Sequence, residues 1–301
     1  MDLKTLIINT SIFFLCVNCC AQCHLDDWTA LKSLYESTNG DEWEDNDGWE
    51  QIKSNLPPED CDLSKLNGVT LDEDYNTRVE RLSLPGNNII GSIPDEISSL
   101  SSLKSLSLFN NKITGSIPHT IGKLENLISL DIAFNFLEGS IPSEFENLNK
   151  LERIYLFGNK LSGEVSPNIL NLENIARIYL NDNQLTGRIP EYNNPNKSIF
   201  LFLHNNQLTG SIPSVFGNVR FNAQKLTLFN NNLSGCFDEN LSNMCDSFRN
   251  GIYGFQDSIS EGNDFDATWR EFCYEDKGIC DTTNVCQPNN SPPLVGSFNC
   301  D

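Results

Sequence analysis

The chain has 301 residues, of which 39% are apolar and 10% aromatic, a composition typical of a globular protein with a hydrophobic core. Its 41 acidic and 20 basic residues give a formal net charge of -21. A charge of this sign repels nucleic acid phosphates and anionic membrane surfaces, so neither is an expected partner.

Residues 1–21 have the features of a secretory signal peptide. An apolar run from Leu6 to Val17 follows a short charged start, and small residues lead to a predicted cleavage site near Ala21. The run is too short to span a bilayer, and no later segment is long and apolar enough to anchor the chain. We therefore expect a secreted, extracellular protein without a membrane anchor.

Residues 22–78 are predicted to form an N-terminal cap that starts with a helix. The helix is expected to begin near Asp26 and to end at Asn39 and Gly40. Its apolar face is formed by residues at helical spacing, namely Trp28, Leu31, Leu34 and Tyr35.

Residues 79–237 contain a repeated unit, about seven copies of 23 to 25 residues each. An asparagine marks each copy, at Asn87, Asn111, Asn135, Asn159, Asn183, Asn206 and Asn231. A fixed period of this length indicates a solenoid, in which neighbouring coils bury one continuous core.

Each position of the unit has a structural interpretation. Leu106 and Leu108 alternate as in a short strand with one buried face. The amide of Asn111 can donate to and accept from backbone groups of neighbouring coils. Gly115 suits a left-handed conformation, and Ile117-Pro118 begins an extended segment before a helical turn.

The pattern LxxLxLxxNxLxGxIPxxIGxLxx from Val79 to Phe237 resembles the plant-type extracellular leucine-rich repeat. The resemblance implies an α/β solenoid, a right-handed superhelix with a parallel sheet on its concave side and disulfide-bearing caps at both ends. It also implies relatives among polygalacturonase-inhibiting proteins and receptor ectodomains. Leu71 stands where the family's entry segment usually carries a cysteine, so Cys61 is expected to reach back to Cys23.

Residues 238–301 form the predicted C-terminal cap, and "GNDFDATWREFCYEDKGIC" resembles the closing caps of secreted leucine-rich proteins. Three cysteines lie in the predicted signal peptide, which leaves eight of the 11. These eight disulfide candidates are Cys23, Cys61, Cys236, Cys245, Cys273, Cys280, Cys286 and Cys300. An even number without paired CxxC motifs favours disulfides over a zinc site. Proximity alone suggests the pairs Cys23 with Cys61, Cys236 with Cys245, Cys273 with Cys280, and Cys286 with Cys300.

Two parts of the sequence partly resemble functional sites, one a calcium-binding loop and the other a catalytic pair, but both lack required residues. The acidic run from Gly40 to Trp49 looks like part of an EF-hand, but Trp43 occupies the first ligand position, so we predict no metal site. His204 and Asp182 fall on adjacent coils like a base and its orienting carboxylate. No activated nucleophile is in register with them, so we predict neither an enzyme nor a cofactor.

The outward strand positions form three columns that change from copy to copy. The candidate ligand-binding residues in these columns are Phe109, Asp131, Arg153, Tyr155, Phe157, Arg177, Tyr179, Phe202, His204, Lys225 and Phe229. Tyr and Arg are the residues expected at interface hot spots. Because strands favour aromatic residues in any case, packing of these rings on one another is the structural alternative.

The leading hypothesis is a secreted recognition protein that binds a protein or peptide on the concave face. Inhibition of a polysaccharide-degrading enzyme is a finer hypothesis that no residue singles out. Direct binding of a glycan or cell-wall polymer is the alternative, and ice binding is less favoured because the loops lack a threonine ladder. Asn196, Asn232, Asn240 and Asn289 lie in glycosylation sequons.

Overall fold

A computed structural model describes residues 23–54, 56–58, 61–73, 77–193, 199–217, 226–245, 259–268, 272–273 and 279. The predicted signal peptide lies outside the described residues. So do Lys225, the sequons at Asn196 and Asn289, and the predicted pair Cys286 with Cys300.

The N-terminal cap consists of helix α1, Leu25–Ser37, and three short 3-10 turns, Gly40–Glu42, Trp49–Lys53 and Leu63–Lys65. The apolar face of α1 is buried, as its spacing predicts. Tyr35, Trp43 and Trp49 form an aromatic cluster with ring centroids 4.9 to 5.9 Å apart. The tryptophans of the acidic run therefore belong to the core of the cap.

The described residues contain sixteen short strands. They are β1 Val69–Leu71, β2 Val79–Ser83, β3 Ile90–Gly91, β4 Ser105–Ser107, β5 Lys112–Ile113, β6 Ser129–Asp131, β7 Glu138–Ser140, β8 Arg153–Tyr155, β9 Lys160–Glu164, β10 Arg177–Tyr179, β11 Gln184–Thr186, β12 Phe200–Phe202, β13 Thr209–Gly210, β14 Leu226–Thr227, β15 Asn232–Gly235 and β16 Asp264–Phe265.

One large sheet has the order β1-β2-β4-β6-β8-β10-β12-β14. β1 pairs antiparallel with β2, and every later pair is parallel. The remaining strands form three short sheets, β3-β5, β11-β9-β7 and β13-β15-β16. From β2 to β15, strands of the large sheet and strands of the short sheets thus alternate along the chain, which is the expected arrangement of a coil.

Short helical turns complete the coils. They are the 3-10 turns Asp95–Ser99, His119–Lys123, Ser143–Asn147, Ser214–Gly217 and Glu239–Met244, and the one-turn helix α2, Pro167–Leu170. Ile121 and Leu124 are fully buried, so the predicted helical turn and its apolar contacts are confirmed.

The repeated asparagines form a ladder between coils. Oδ1 of Asn111 accepts from the backbone N–H of Asn87 and Ile89 at 2.8 and 3.0 Å. Its Nδ2 donates to the carbonyls of Leu84 and Leu108 at 2.8 and 3.0 Å. The predicted role of these amides is confirmed, since otherwise the bend would bury unpaired backbone groups.

The ladder extends into both caps. Nδ2 of Asn87 donates to the carbonyl of Asp45 at 2.8 Å, and the N–H of Asp45 donates back at 2.6 Å. At the other end, Asn263 accepts from the N–H of Leu233 and donates to the carbonyl of Leu228, both at 3.0 Å. Asn263 continues the ladder beyond the regular spacing, because the C-terminal cap supplies a further coil with β16.

The disulfides differ in part from those that sequence proximity suggests. Cys23 pairs with Cys61, as predicted. Cys245 pairs with Cys273, so the predicted pairs Cys236 with Cys245 and Cys273 with Cys280 are wrong. Cys236 is disulfide-bonded as well. Cys245 and Cys273 are both fully buried, and folding of the cap onto the last coil brings them together across 28 residues of chain.

No helix of the described part of the chain is long and apolar enough to cross a membrane. Within the same residues no group of His, Cys, Asp or Glu is arranged to hold a metal ion.

Candidate functional site

The parallel register of the large sheet aligns the candidate residues in columns. Arg177 lies opposite Arg153 on one side and Phe200 on the other. Tyr179 likewise lies between Tyr155 and Phe202. Residues in register on parallel strands are neighbours on one face. The side chains at 153, 177 and 200 therefore form one column, and those at 155, 179 and 202 form the next.

The aromatic residues of the face form one continuous chain of contacts. Tyr179 stacks on Phe202 at 4.3 Å and meets Tyr155 edge to face at 5.0 Å. Phe157 joins them at 6.3 Å from Tyr179. The ring of His204 lies 6.3 Å from that of Phe202.

The same chain continues at both ends. His204 stacks on Phe229 at 4.3 Å. At the other end Phe134 contacts Phe157 at 5.0 Å and Phe109 at 5.6 Å, both edge to face. The predicted alternative, packing of the rings on one another, is therefore part of the structure, although the rings remain partly exposed.

Two positions in the column that contains Phe109, Phe157, His204 and Phe229 are not available to a ligand. Ala133 is fully buried and Asn181 is 8% exposed. The expectation that every position of these columns faces away from the protein is therefore wrong at Ala133 and Asn181.

The positive charges of the face are partly engaged within the protein. Arg153 lies 3.4 Å from the carboxylate of Glu152. The guanidinium of Arg177 lies 5.7 Å from the ring centroid of Phe200, a cation–π distance.

Asp131 is the acidic member of the candidate set. It lies between Ser107 and Tyr155 in the sheet register. Burial raises the pKa of its carboxyl, and the backbone N–H of Ala133, which donates to it at 3.3 Å, acts in the opposite direction. No cationic side chain of the described residues forms an ion pair with it.

His204 lies between a hydroxyl and a carboxylate. Its Nδ1 is 2.7 Å from Oγ1 of Thr227, and its Nε2 is 3.9 Å from Oδ2 of Asp182. Burial lowers the pKa of His204, while Asp182 acts to raise it.

The backbone donors next to His204, and the carboxylate of Asp182, are already engaged in hydrogen bonds. The backbone N–H groups of Leu203 and Asn205 donate to neighbouring strands, so they are not free to stabilise an oxyanion. Oδ1 and Oδ2 of Asp182 already accept from the amides of Asn205 and Asn181, at 2.5 and 2.6 Å. The arrangement is that of a structural hydrogen-bond network.

Phe134 also belongs to this face, although it lies outside the columns predicted from the sequence. The position before each ladder asparagine adopts a left-handed conformation, and in the other six coils it holds Gly, Asn or Asp. Phe134 has φ 51° there and is 49% exposed. A bulky residue in this region is strained, and such strain concentrates at functional sites. Comparing this position across the copies would have revealed it.

The geometry of Phe134 depends on its neighbour in the next coil. A Cβ atom at Gly158 would lie 2.7 Å from the ring of Phe134. The absence of a side chain at Gly158 therefore makes room for the ring of Phe134.

Comparisons with known proteins agree with this fold. Family models described as leucine rich repeat match residues 77–135, and also 126–148, 150–172 and 199–219. A sequence comparison with curated proteins finds no match. The coil geometry and these matches identify leucine-rich repeats, and the repeats resemble those of plant receptor ectodomains.

Solved structures of plant receptors are similar to the chain. The complex of PEPR1 with AtPEP1 has 27% identity and a TM-score of 0.60 over 73% of this chain and 30% of that one. The ectodomain of GASSHO1/SCHENGEN3 from Arabidopsis thaliana, in complex with CASPARIAN STRIP INTEGRITY FACTOR 2, has 26% identity and a TM-score of 0.59 over 79% and 30%. The HAESA ectodomain from Arabidopsis shares the fold at 23% identity and a TM-score of 0.53, over 84% and 44%. The chain thus spans about 30% of the length of the first relatives.

Proposed function

We propose that this protein is a secreted recognition protein that binds an extended segment of a peptide or protein on its concave sheet. The observation that carries the proposal is the continuous aromatic stripe from Phe109 to Phe229. Aromatic side chains supply large contact areas at low cost in conformational entropy and dominate interface hot spots.

The mutual packing of the rings supports binding and does not compete with it. Each ring is held by its neighbours, so fewer rotamers are lost when a partner binds. The eight strands of the sheet, at a spacing of about 4.8 Å, form a face roughly 35 Å long, which suits an extended chain of about ten residues. Two similar structures, PEPR1 with AtPEP1 and GASSHO1/SCHENGEN3 with CASPARIAN STRIP INTEGRITY FACTOR 2, are complexes, which also favours a peptide or protein partner.

A glycan partner has less support from the geometry. Stacking on a sugar requires an open ring face, but Tyr179 and Phe202 stack on each other, and so do His204 and Phe229. Inhibition of a polysaccharide-degrading enzyme remains a finer hypothesis within protein binding, and no described residue distinguishes it.

Affinity capture with matched variants tests the proposal. The mature protein would be immobilised and exposed to a secreted protein and peptide fraction of the host, with bound species identified by mass spectrometry. The same capture would use the double variant Tyr155→Ala/Tyr179→Ala and a control, Leu25→Ala/Ile90→Ala, which removes two exposed apolar side chains outside the concave sheet.

We expect partners that the control retains and the tyrosine variant loses. Equal retention by both variants would show that the concave face is not the binding surface. Binding to a panel of wall polysaccharides, without any protein or peptide partner, would favour the glycan alternative.

A further inference from the structure

The concave face changes character around Asp131. Its neighbours are small, with Ser129 on the same strand and Ser107 in register on the preceding one. On the following strand the register partner of Asp131 is Tyr155. The side chains of the face therefore change from small to large at the strand that carries Asp131.

Aromatic residues lie two positions beyond the register partners of Asp131, with Phe109 after Ser107 and Phe157 after Tyr155. The ring of Phe134 lies between those of Phe109 and Phe157, at 5.6 and 5.0 Å. These rings come from three successive coils, and Ala133, which is fully buried, lies between Phe109 and Phe157 in its column. A row of three edge-to-face rings therefore runs next to the strand that carries Asp131.

No basic side chain of the described residues forms an ion pair with the carboxylate of Asp131. Its hydrogen bond to the N–H of Ala133 is the one contact that the described residues offer it. Arg153, a cation of the next coil, lies beside Glu152 instead. The other carboxylate of the face, Asp182, accepts from the amides of both Asn181 and Asn205. A half-buried carboxylate without such partners is destabilising unless a ligand supplies one.

We propose that Asp131, together with Tyr155 and the rings of Phe109, Phe134 and Phe157, binds one basic side chain, Arg or Lys, of the peptide partner. This inference rests on the proposed function. A guanidinium or ammonium group can bond to the carboxylate while its stem or plane lies against the aromatic rings. The net charge of -21 favours a cationic partner over long range as well.

A contact with the partner would explain why a strained phenylalanine is present at position 134. The six equivalent positions use Gly, Asn or Asp, which adopt the left-handed conformation more easily. A phenylalanine at this position costs stability and yet leaves its ring half-exposed. Retaining an exposed ring in a strained conformation is explained if the ring contacts the partner.

A peptide selection tests this subsite. A random linear peptide library displayed on phage would be selected on the wild-type protein, and the enriched peptides would be synthesised. Each would also be made with its Arg replaced by citrulline, or its Lys by norleucine, which removes the charge at similar size. Binding to wild type, Asp131→Asn, Tyr179→Ala and a control, Glu125→Gln, would be measured. Glu125 is exposed and follows a 3-10 turn outside the concave sheet, so the control removes the same charge elsewhere.

We expect the enriched peptides to share one basic position. Neutralising that position should weaken binding to wild type and to Glu125→Gln by about tenfold. For Asp131→Asn the charged and neutral peptides should bind alike. A loss that is the same in Asp131→Asn as in wild type would overturn the subsite, because the basic residue would then bind elsewhere.

The outcomes also separate this inference from the proposed function. Enriched peptides that lack a basic position but lose binding in Tyr179→Ala would overturn the Asp131 subsite and support the concave face. If no selected peptide depends on Tyr179, both proposals fail. Comparable thermal unfolding of the variants would show that each is folded.

Discussion

Arg78 binds the fully buried carboxylate of Asp27 through two of its guanidinium nitrogens. Nε lies 3.2 and 3.1 Å from the two carboxylate oxygens, and Nη2 lies 2.8 Å from Oδ1. The N–H of Val79, the first residue of β2, donates to the same carboxylate at 2.7 Å. The pair therefore joins helix α1 of the cap to the first coil of the repeats.

Arg78→Ala should destabilise the protein strongly. Removing one partner leaves a buried, unpaired charge, which costs about 3–5 kcal/mol. The free energy of unfolding in urea measures the loss. Arg188→Ala is the control, since Arg188 is exposed and forms no ion pair among the described residues. Equal small losses in both variants would show that the contact between cap and repeats contributes little.

Asn135→Ala tests the ladder. Oδ1 of Asn135 accepts from the N–H of Ile113 at 3.0 Å, and its Nδ2 donates to the carbonyl of Leu108 at 2.9 Å. Each group left without a partner costs about 1–3 kcal/mol, so we expect an unfolding free energy lower by at least about 2 kcal/mol. Asn149→Ala, which removes an exposed amide bonded within its own turn, should stay within about 0.5 kcal/mol of wild type.

The strain at Phe134 predicts that glycine is more stable than alanine at this position, the reverse of their order at an ordinary position. At φ 51° alanine is strained and glycine is not, so Phe134→Gly should be more stable than Phe134→Ala by about 1 kcal/mol. At Phe136, which is similarly exposed and has no positive φ, the alanine variant should be the more stable one. Thermal unfolding of the four variants decides this. If the alanine variant were the more stable one at both positions, Phe134 would not be strained.

Asp131 predicts a pH dependence of stability. Because burial raises its pKa in the folded state, folding is favoured at low pH by the bound proton, and this contribution is lost as the pH rises through the raised pKa. Asp131→Asn has no such loss, so its melting temperature relative to wild type should be higher at about pH 7 than at about pH 3. Glu125→Gln provides the comparison for removal of a charge. A difference that is independent of pH would contradict burial of the Asp131 carboxylate.

Several features could be predicted because they recur at a fixed period. The ladder asparagines, the buried leucines of the strands and the glycines with positive φ each appear once in every coil. A residue that makes the same contact in each coil leaves a periodic trace in the sequence, and the family matches agree with it.

Other features became visible only in three dimensions. The bond between Cys245 and Cys273 joins residues that the cap brings together, and Asn263 extends the ladder outside the period. The contacts of Phe134 with Phe109 and Phe157 cross three coils. Periodicity describes what each coil has in common with the next, which defines the scaffold. The candidate site consists of residues in which the coils differ, and contacts among such residues depend on their spatial positions, which no local pattern encodes.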